Sequence, residues 1–148
     1  MTGAKAVPAN SRAVLTAAEP QLFVADVRAS CAFFVEKLGF AIVFVYGEPP
    51  TYGQVVRDGA RLNFRCVASP VIDPARRDCD NLLSAAFTVA TFGEIEALYR
   101  EFQAAGVAFA QDLRVQTWGA ANFIVRDPDG NLLLFAGPAA SDDVRPGH

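Results

Sequence analysis

Two stretches of this chain run through the same order of elements, and that repetition limits its fold more than any other feature. The first stretch predicts a strand over residues 21–25 and a helix over 27–38. Gly39 and three strands, at 40–46, 52–57 and 61–67, complete it. The second predicts a strand over 83–89, a helix opened by Thr91 and closed by Gly106, and strand-like segments at 107–110 and near 113–116. A hairpin over 121–135 ends it. Asp26 is placed to cap the first helix, and Thr91-Phe92-Gly93-Glu94 forms a capping box at the second. Val27, Cys31, Phe34, Val35 and Leu38 make one apolar stripe; Ile95, Leu98, Tyr99 and Phe102 make the other. A single helix covers only one face of a small sheet. Two such modules therefore predict an α+β domain of paired βαβββ units, joined into a larger curved mixed sheet with helices outside. Its uncovered concave face is a ready cleft.

The strongest turn lies in the last hairpin. Ala121, Phe123 and Val125 alternate as a half-buried strand, Asp127-Pro128-Asp129-Gly130 turns the chain, and residues 132–135 are apolar at every position. Asp58-Gly59 predicts a tight hairpin in the first module. Between the modules, residues 68–82 hold Pro70, Pro74 and the charged Arg76, Arg77 and Asp78 without apolar period, and read as a linker. The expected boundaries are an arm at 1–18 with a helical turn over 12–17, modules at 19–67 and 83–137, and a tail at 138–148.

Several classes of function are disfavoured at once. A net charge of −3 over 148 residues does not suit nucleic acid, and no apolar run nears the ~18 residues of a membrane span. Pro8, Asn10, Ser11 and Arg12 interrupt any signal-peptide core, so the expected location is cytoplasmic. Cys31, Cys66 and Cys79 are odd in number and form no C-x-x-C pair; Cys31 and Cys66 fall on apolar faces and read as core thiols. The one histidine is the terminal His148, which leaves no material within the fold for a Ser-His-Asp or Cys-His mechanism.

Residues 61–66 alternate cleanly. Arg61, Asn63 and Arg65 share one strand face and Leu62, Phe64 and Cys66 the other. If the apolar set meets the helix, the polar set faces either the cleft or plain solvent. Two arginines in a cleft favour a carboxylated ligand. Ser84, Ala86 and Thr88 share a face of the strand that opens the second module, giving room and hydroxyl hydrogen bonds.

Three motifs in order, V-A-D-V-R-A-S-C-A-F-F-V-E-K-L-G-F, V-V-R-D-G and W-G-A-A-N-F-I-V-R-D-P-D-G-N, resemble the glyoxalase/bleomycin resistance/dioxygenase (vicinal oxygen chelate) superfamily over residues 19–137. The Trp-Gly ahead of the last hairpin is most similar to the bleomycin resistance branch. The resemblance implies a homodimer with clefts built from both chains, and aromatic walls at Phe44, Tyr52 and Trp118. The alternatives are core packing for Phe44 and a lid over the core for Trp118. The metal-dependent branch places four ligands on its strands; those positions here hold Glu19, Asn63, Ser84 and Leu134. Leu134 cannot ligate, so neither metal nor cofactor is expected. The implied function is metal-free binding of an aromatic antibiotic or metabolite. The expected contacts are Phe44, Tyr52, Arg61, Asn63, Arg65, Ser84, Ala86, Thr88 and Trp118. The arginines oppose the strongly cationic bleomycins themselves. The alternative is a divalent-metal lyase, isomerase or dioxygenase of the same fold.

Overall fold

The computed structural model describes residues 11–140; the N-terminal part of the arm and most of the tail, including His148, lie outside the described residues. The first module comprises β1 (Gln21–Val24), α1 (Val27–Glu36), β2 (Ala41–Tyr46), β3 (Tyr52–Arg57) and β4 (Ala60–Cys66). α2 (Pro74–Asp80) follows. The second module holds β5 (Leu83–Thr88), α3 (Phe92–Ala104), β6 (Phe109–Val115), β7 (Ala120–Arg126) and β8 (Leu132–Pro138). Each module is one four-stranded mixed sheet, ordered β1-β4-β3-β2 and β5-β8-β7-β6, in which the first strand runs parallel to the last. The βαβββ repeat is thus realised twice, as an α+β fold.

The local chemistry of the two modules matches. Asp26 accepts from the Ala29 N–H at 3.2 Å, and Thr91 accepts from the Glu94 N–H at 3.1 Å. Gly39 and Gly106 leave the two helices at φ +76° and +77°, a conformation that a side chain would strain. α1 packs on β3, with Val27 and Cys31 against Gly53, where a Cβ would come within 2.9 Å of Val27. Burial raises the pKa of the Cys31 thiol. α3 packs on β7 and β8 through Ile95 and Phe102, both fully buried.

One run of phenyl rings crosses from module to module. Phe64 lies 5.1 Å from Phe34, Phe34 5.2 Å from Phe40, Phe40 6.1 Å from Phe87 and Phe87 4.5 Å from Phe135. Phe135 continues to Phe102 at 5.2 Å and Phe123 at 5.3 Å. The helix-side cores are therefore one core. At its margin Arg57 grips both Glu101 oxygens, at 2.8 and 3.0 Å, and donates to the Leu38 carbonyl at 2.7 Å. The Glu101 hydrogen bonds raise the Arg57 pKa.

The structure corrects several sequence expectations. The two sheets do not share a ladder; β1 and β5 are both edges. The β7–β8 turn bridges the gap instead: the Ala25 N–H donates to Asp129 Oδ1 at 2.9 Å, and Asn131 Nδ2 donates to the Phe23 carbonyl at 3.4 Å. Residues 12–17 form no helical turn, because Val14 and Leu15 are exposed and an isolated turn has no buried face to hold it. The segment 68–82 contains α2, capped by Asp73 with Pro74 in its first turn. Its only buried residue is Arg77, so it carries no apolar period to read. The strand segments expected at 107–110 and 113–116 are one strand, β6, whose register shifts absorb the polar Gln111-Asp112. Val35 is exposed at the edge of the α1 stripe, and Cys66 is only half-buried, its thiol 3.5 Å from the Ala25 carbonyl oxygen. No helix among the described residues is long and apolar enough to cross a membrane.

The Asp127 carboxylate organises the β7–β8 turn. It is buried, and it accepts from the N–H groups of Asp129 (2.9 Å) and Asn131 (2.7 Å) and from Asn131 Nδ2 (2.9 Å). Burial raises its pKa more than the Asn131 hydrogen bonds lower it. Removing the acceptor strands three donors, so Asp127→Ala should cost about 3 kcal/mol of unfolding free energy in urea titration. Nearby, Asp78 accepts from Arg126 at 3.0 Å and Arg77 at 3.1 Å, and these bonds lower its pKa, Arg126 foremost. An acid depressed on folding stabilises above its unfolded value of about 4 and loses that contribution as pH falls through its folded value. The stability gap between wild type and Asp78→Asn should therefore shrink from pH 6 toward pH 2 in the same titration.

Candidate functional site

Each sheet has one face on its helix and one face without. On the first sheet, the ladder pairs Tyr52 with Arg65, Gln54 with Asn63, Phe44 with Gln54 and Gln21 with Asn63. Opposed residues share a face, so Phe44, Tyr52, Gln54, Arg61, Asn63 and Arg65 stand together opposite the buried Leu62 and Phe64. The alternation read in residues 61–66 holds. On the second sheet, Ala86 and Thr88 stand with Leu134 and Ala136 on the open face.

The open face of the first sheet is knitted by hydrogen bonds. Gln54 Nε2 donates to Asn63 Oδ1 at 2.7 Å and to Glu19 Oε1 at 3.2 Å, while Arg61 donates to Gln54 Oε1 at 2.8 Å. Arg61 Nε lies 3.9 Å from Glu19 Oε2. The hydroxyl of Tyr52 donates to Gln21 Oε1 at 2.9 Å, and its ring stacks on Phe44 at 6.0 Å and 20°. Phe44 is 40% exposed, a platform rather than core. Arg65 is exposed, adjoins Tyr52 across the ladder and has no ion-pair partner among the described residues.

The second sheet repeats the motif. Asn122 Oδ1 accepts from Gln111 Nε2 at 2.7 Å and Gln116 Nε2 at 3.0 Å. Gln116 also opens the turn that presents Trp118, which is 72% exposed and so is no lid over the core. These amides, with Gln54, escaped the sequence reading. Their trace is a lone polar residue inside an apolar strand, as Gln54 is between Gly53 and Val55.

The predicted residues do not all meet. Arg61, Ala86 and Thr88 line a cleft of about 920 Å³ between the modules; Phe44, Tyr52, Asn63, Arg65 and Trp118 do not. Ser84 donates to Asn131 Oδ1 at 3.3 Å and lines a smaller cavity of about 300 Å³ beside residues 67–72. The four positions that would hold a divalent ion do not fit one. The oxygens of Glu19 face Gln54, Asn63 and Arg61, Ser84 is engaged with Asn131, and Leu134 has no donor atom. Among the described residues, no three His, Cys, Asp or Glu side chains converge.

A profile of the Glyoxalase/Bleomycin resistance protein/Dioxygenase superfamily matches residues 15–135. The chain belongs to that superfamily. No curated protein is similar enough in sequence to match. Solved structures of the superfamily fold are similar to it throughout. A bleomycin resistance determinant encoded on the transposon Tn5 has 23% identity and TM-score 0.63, over 82% of this chain and 97% of that one. The bleomycin-binding protein of Streptomyces verticillus, complexed with copper(II)-bleomycin, has 26% identity and TM-score 0.58, over 88% and 99%. A superfamily domain from Frankia sp. EAN1pec has 20% identity and TM-score 0.66, over 92% and 96%.

Gln54 is the hinge of the amide network, buried and bonded to three side chains. Gln54→Leu should keep the volume, leave Asn63 and Arg61 without their partner and lower stability by about 1–2 kcal/mol, read from the urea midpoint.

Proposed function

We propose that this protein is a metal-free binder of a small flat molecule, aromatic or carboxylated, in the cytoplasm. The ligand lies on the open face of the first sheet, in a cleft completed by a second copy of the chain. The observation that carries this reading is the stack of exposed Phe44 on half-buried Tyr52, beside Arg65. A planar ring continues the stack, and the guanidinium takes a carboxylate through paired hydrogen bonds. Arg61 has its charge answered by Glu19, so one free arginine remains to select the anion. Relatives that bind bleomycin support small-molecule binding on this fold; the cationic drug itself suits Arg65 poorly.

The edge strand β2 supports the dimer. Beside the Phe44 platform, Ile42, Val43, Val45 and Tyr46 are exposed at an unpaired edge, an apolar surface that a second copy would cover. Sedimentation at micromolar concentration should give twice the chain mass.

Trp118 is the only tryptophan, so its fluorescence reports a bound ligand without interference. Titration with carboxylated polycyclic aromatics should quench it saturably. Tyr52→Ala and Arg65→Ala should each weaken binding about three- to tenfold, the scale of one stacking or charged contact. Trp118→Ala, followed by calorimetry, should weaken binding by removing the ring that the second copy brings to the cleft, yet leave the melting temperature unchanged. A flat thermal-shift response across such ligands and aromatic antibiotics would overturn the reading.

A further inference from the structure

The large cleft between the modules is chemically unlike the Phe44–Tyr52 platform, and Phe44, Tyr52 and Arg65 take no part in its lining. Its floor is the middle of the phenyl run, where half-buried Phe87 stacks on Phe135 at 4.5 Å and 10°. Its volume, about 920 Å³, is at the upper end of small-molecule sites. Its rim carries four carboxylates, Glu19, Asp58, Glu94 and Glu101, against two guanidinium groups, Arg57 and Arg61. Both cations are committed: Arg57 holds both oxygens of Glu101, and Arg61 bonds Gln54 and faces Glu19. Asp58 touches only Arg57, at 3.8 Å, and is 93% exposed in its side chain. Glu94 accepts the Thr91 hydroxyl on Oε1 at 3.1 Å and has no ion-pair partner among the described residues, which leaves Oε2 uncommitted.

We propose that this cleft is a second binding site, taking a flat organic cation: an aromatic body with a protonated or quaternary nitrogen. The excess of two carboxylates over two arginines sets a negative potential, which apolar walls focus inside a cleft. The one accessible phenyl of the floor, Phe87, adds attraction for a cation within about 6 Å of its ring. A carboxylated ligand meets the same carboxylates unfavourably. The two sites thus select opposite charges, and this one does not depend on the reading of the open sheet face.

The test is calorimetric titration of the full chain with proflavine, a cationic acridine, and with 9-anthracenecarboxylate, an anion of similar shape. Proflavine should bind at one site per chain and weaken as salt is raised. Glu94→Gln keeps the acceptor for Thr91 and should weaken proflavine about three- to tenfold. Ala97→Phe, at an exposed α3 position on the cleft wall, should weaken it at least tenfold with an unchanged melting temperature. Neither variant should alter quenching of Trp118 by a carboxylated aromatic. Unchanged proflavine affinity in both variants would overturn the proposal, as would equal displacement of proflavine from this site by the anion. Absence of proflavine binding, with Ala97→Phe changing the sedimentation mass, would assign the cleft to a second copy of the chain and also overturn it.

Discussion

A single buried carboxylate shapes the turn that ties the halves of this protein together at one end. Asp127 fixes Asp129 and Asn131 by their backbone N–H groups and holds the Asn131 side chain as well. Those two residues then reach across the gap between β1 and β5. Asp129 takes the Ala25 N–H, Asn131 donates to the Phe23 carbonyl and accepts from Ser84, and Arg77 of α2 donates to the Asp129 carbonyl at 3.3 Å. Two edge strands that share no ladder are thus coupled through one turn. The Asp127–Asn131 bonds are buried, where a hydrogen bond costs more when broken than it contributes when made, so the partly exposed bonds across the gap depend on the shape that Asp127 gives the turn.

The turn sets the meeting at one end, and the phenyl run sets it through the interior. Since Phe40 meets Phe87 on the helix side of both sheets, the modules share that side and leave their other faces to solvent. An exposed sheet face with apolar edges would be a liability by itself. Here it is polar in the middle, through the Gln54–Asn63 and Gln111–Asn122–Gln116 bonds, with its exposed aromatics toward the margins: Phe44 and Tyr46 beside Tyr52, and Phe23 across from Arg65. Side chains held by such bonds are ordered before any ligand arrives, which lowers the entropy lost on binding.

The fold was largely legible because its units are local. Asp26 and Thr91 cap, Gly39 and Gly106 stop, and strand alternation sorts Leu62 and Phe64 from Arg61, Asn63 and Arg65 within a few residues of each other. α2 was illegible by apolar period because its one buried side chain is Arg77, although Asp73-Pro74 marks its start. The division of the predicted site is a tertiary matter. Whether Arg61 shares space with Tyr52 or with Thr88 depends on how two sheets meet, and no spacing within one strand encodes that. The same holds for Glu19, whose partners Gln54 and Asn63 lie 35 and 44 residues away.

Glu19 also shows how a site can change its chemistry without changing its fold. A carboxylate that ligates a divalent ion needs free oxygens and further donors converging on the same point. Around Glu19 the convergent groups are an arginine and the N–H₂ groups of two amides, all donors of hydrogen bonds. They satisfy a negative charge and repel or ignore a positive one. A cation entering there would have to displace Arg61, which in turn would lose both Glu19 and the framework that places Gln54. As the proposed ligand platform, the face would offer shape and hydrogen bonding, with Arg65, unpaired among the described residues, at the edge of the aromatic stack.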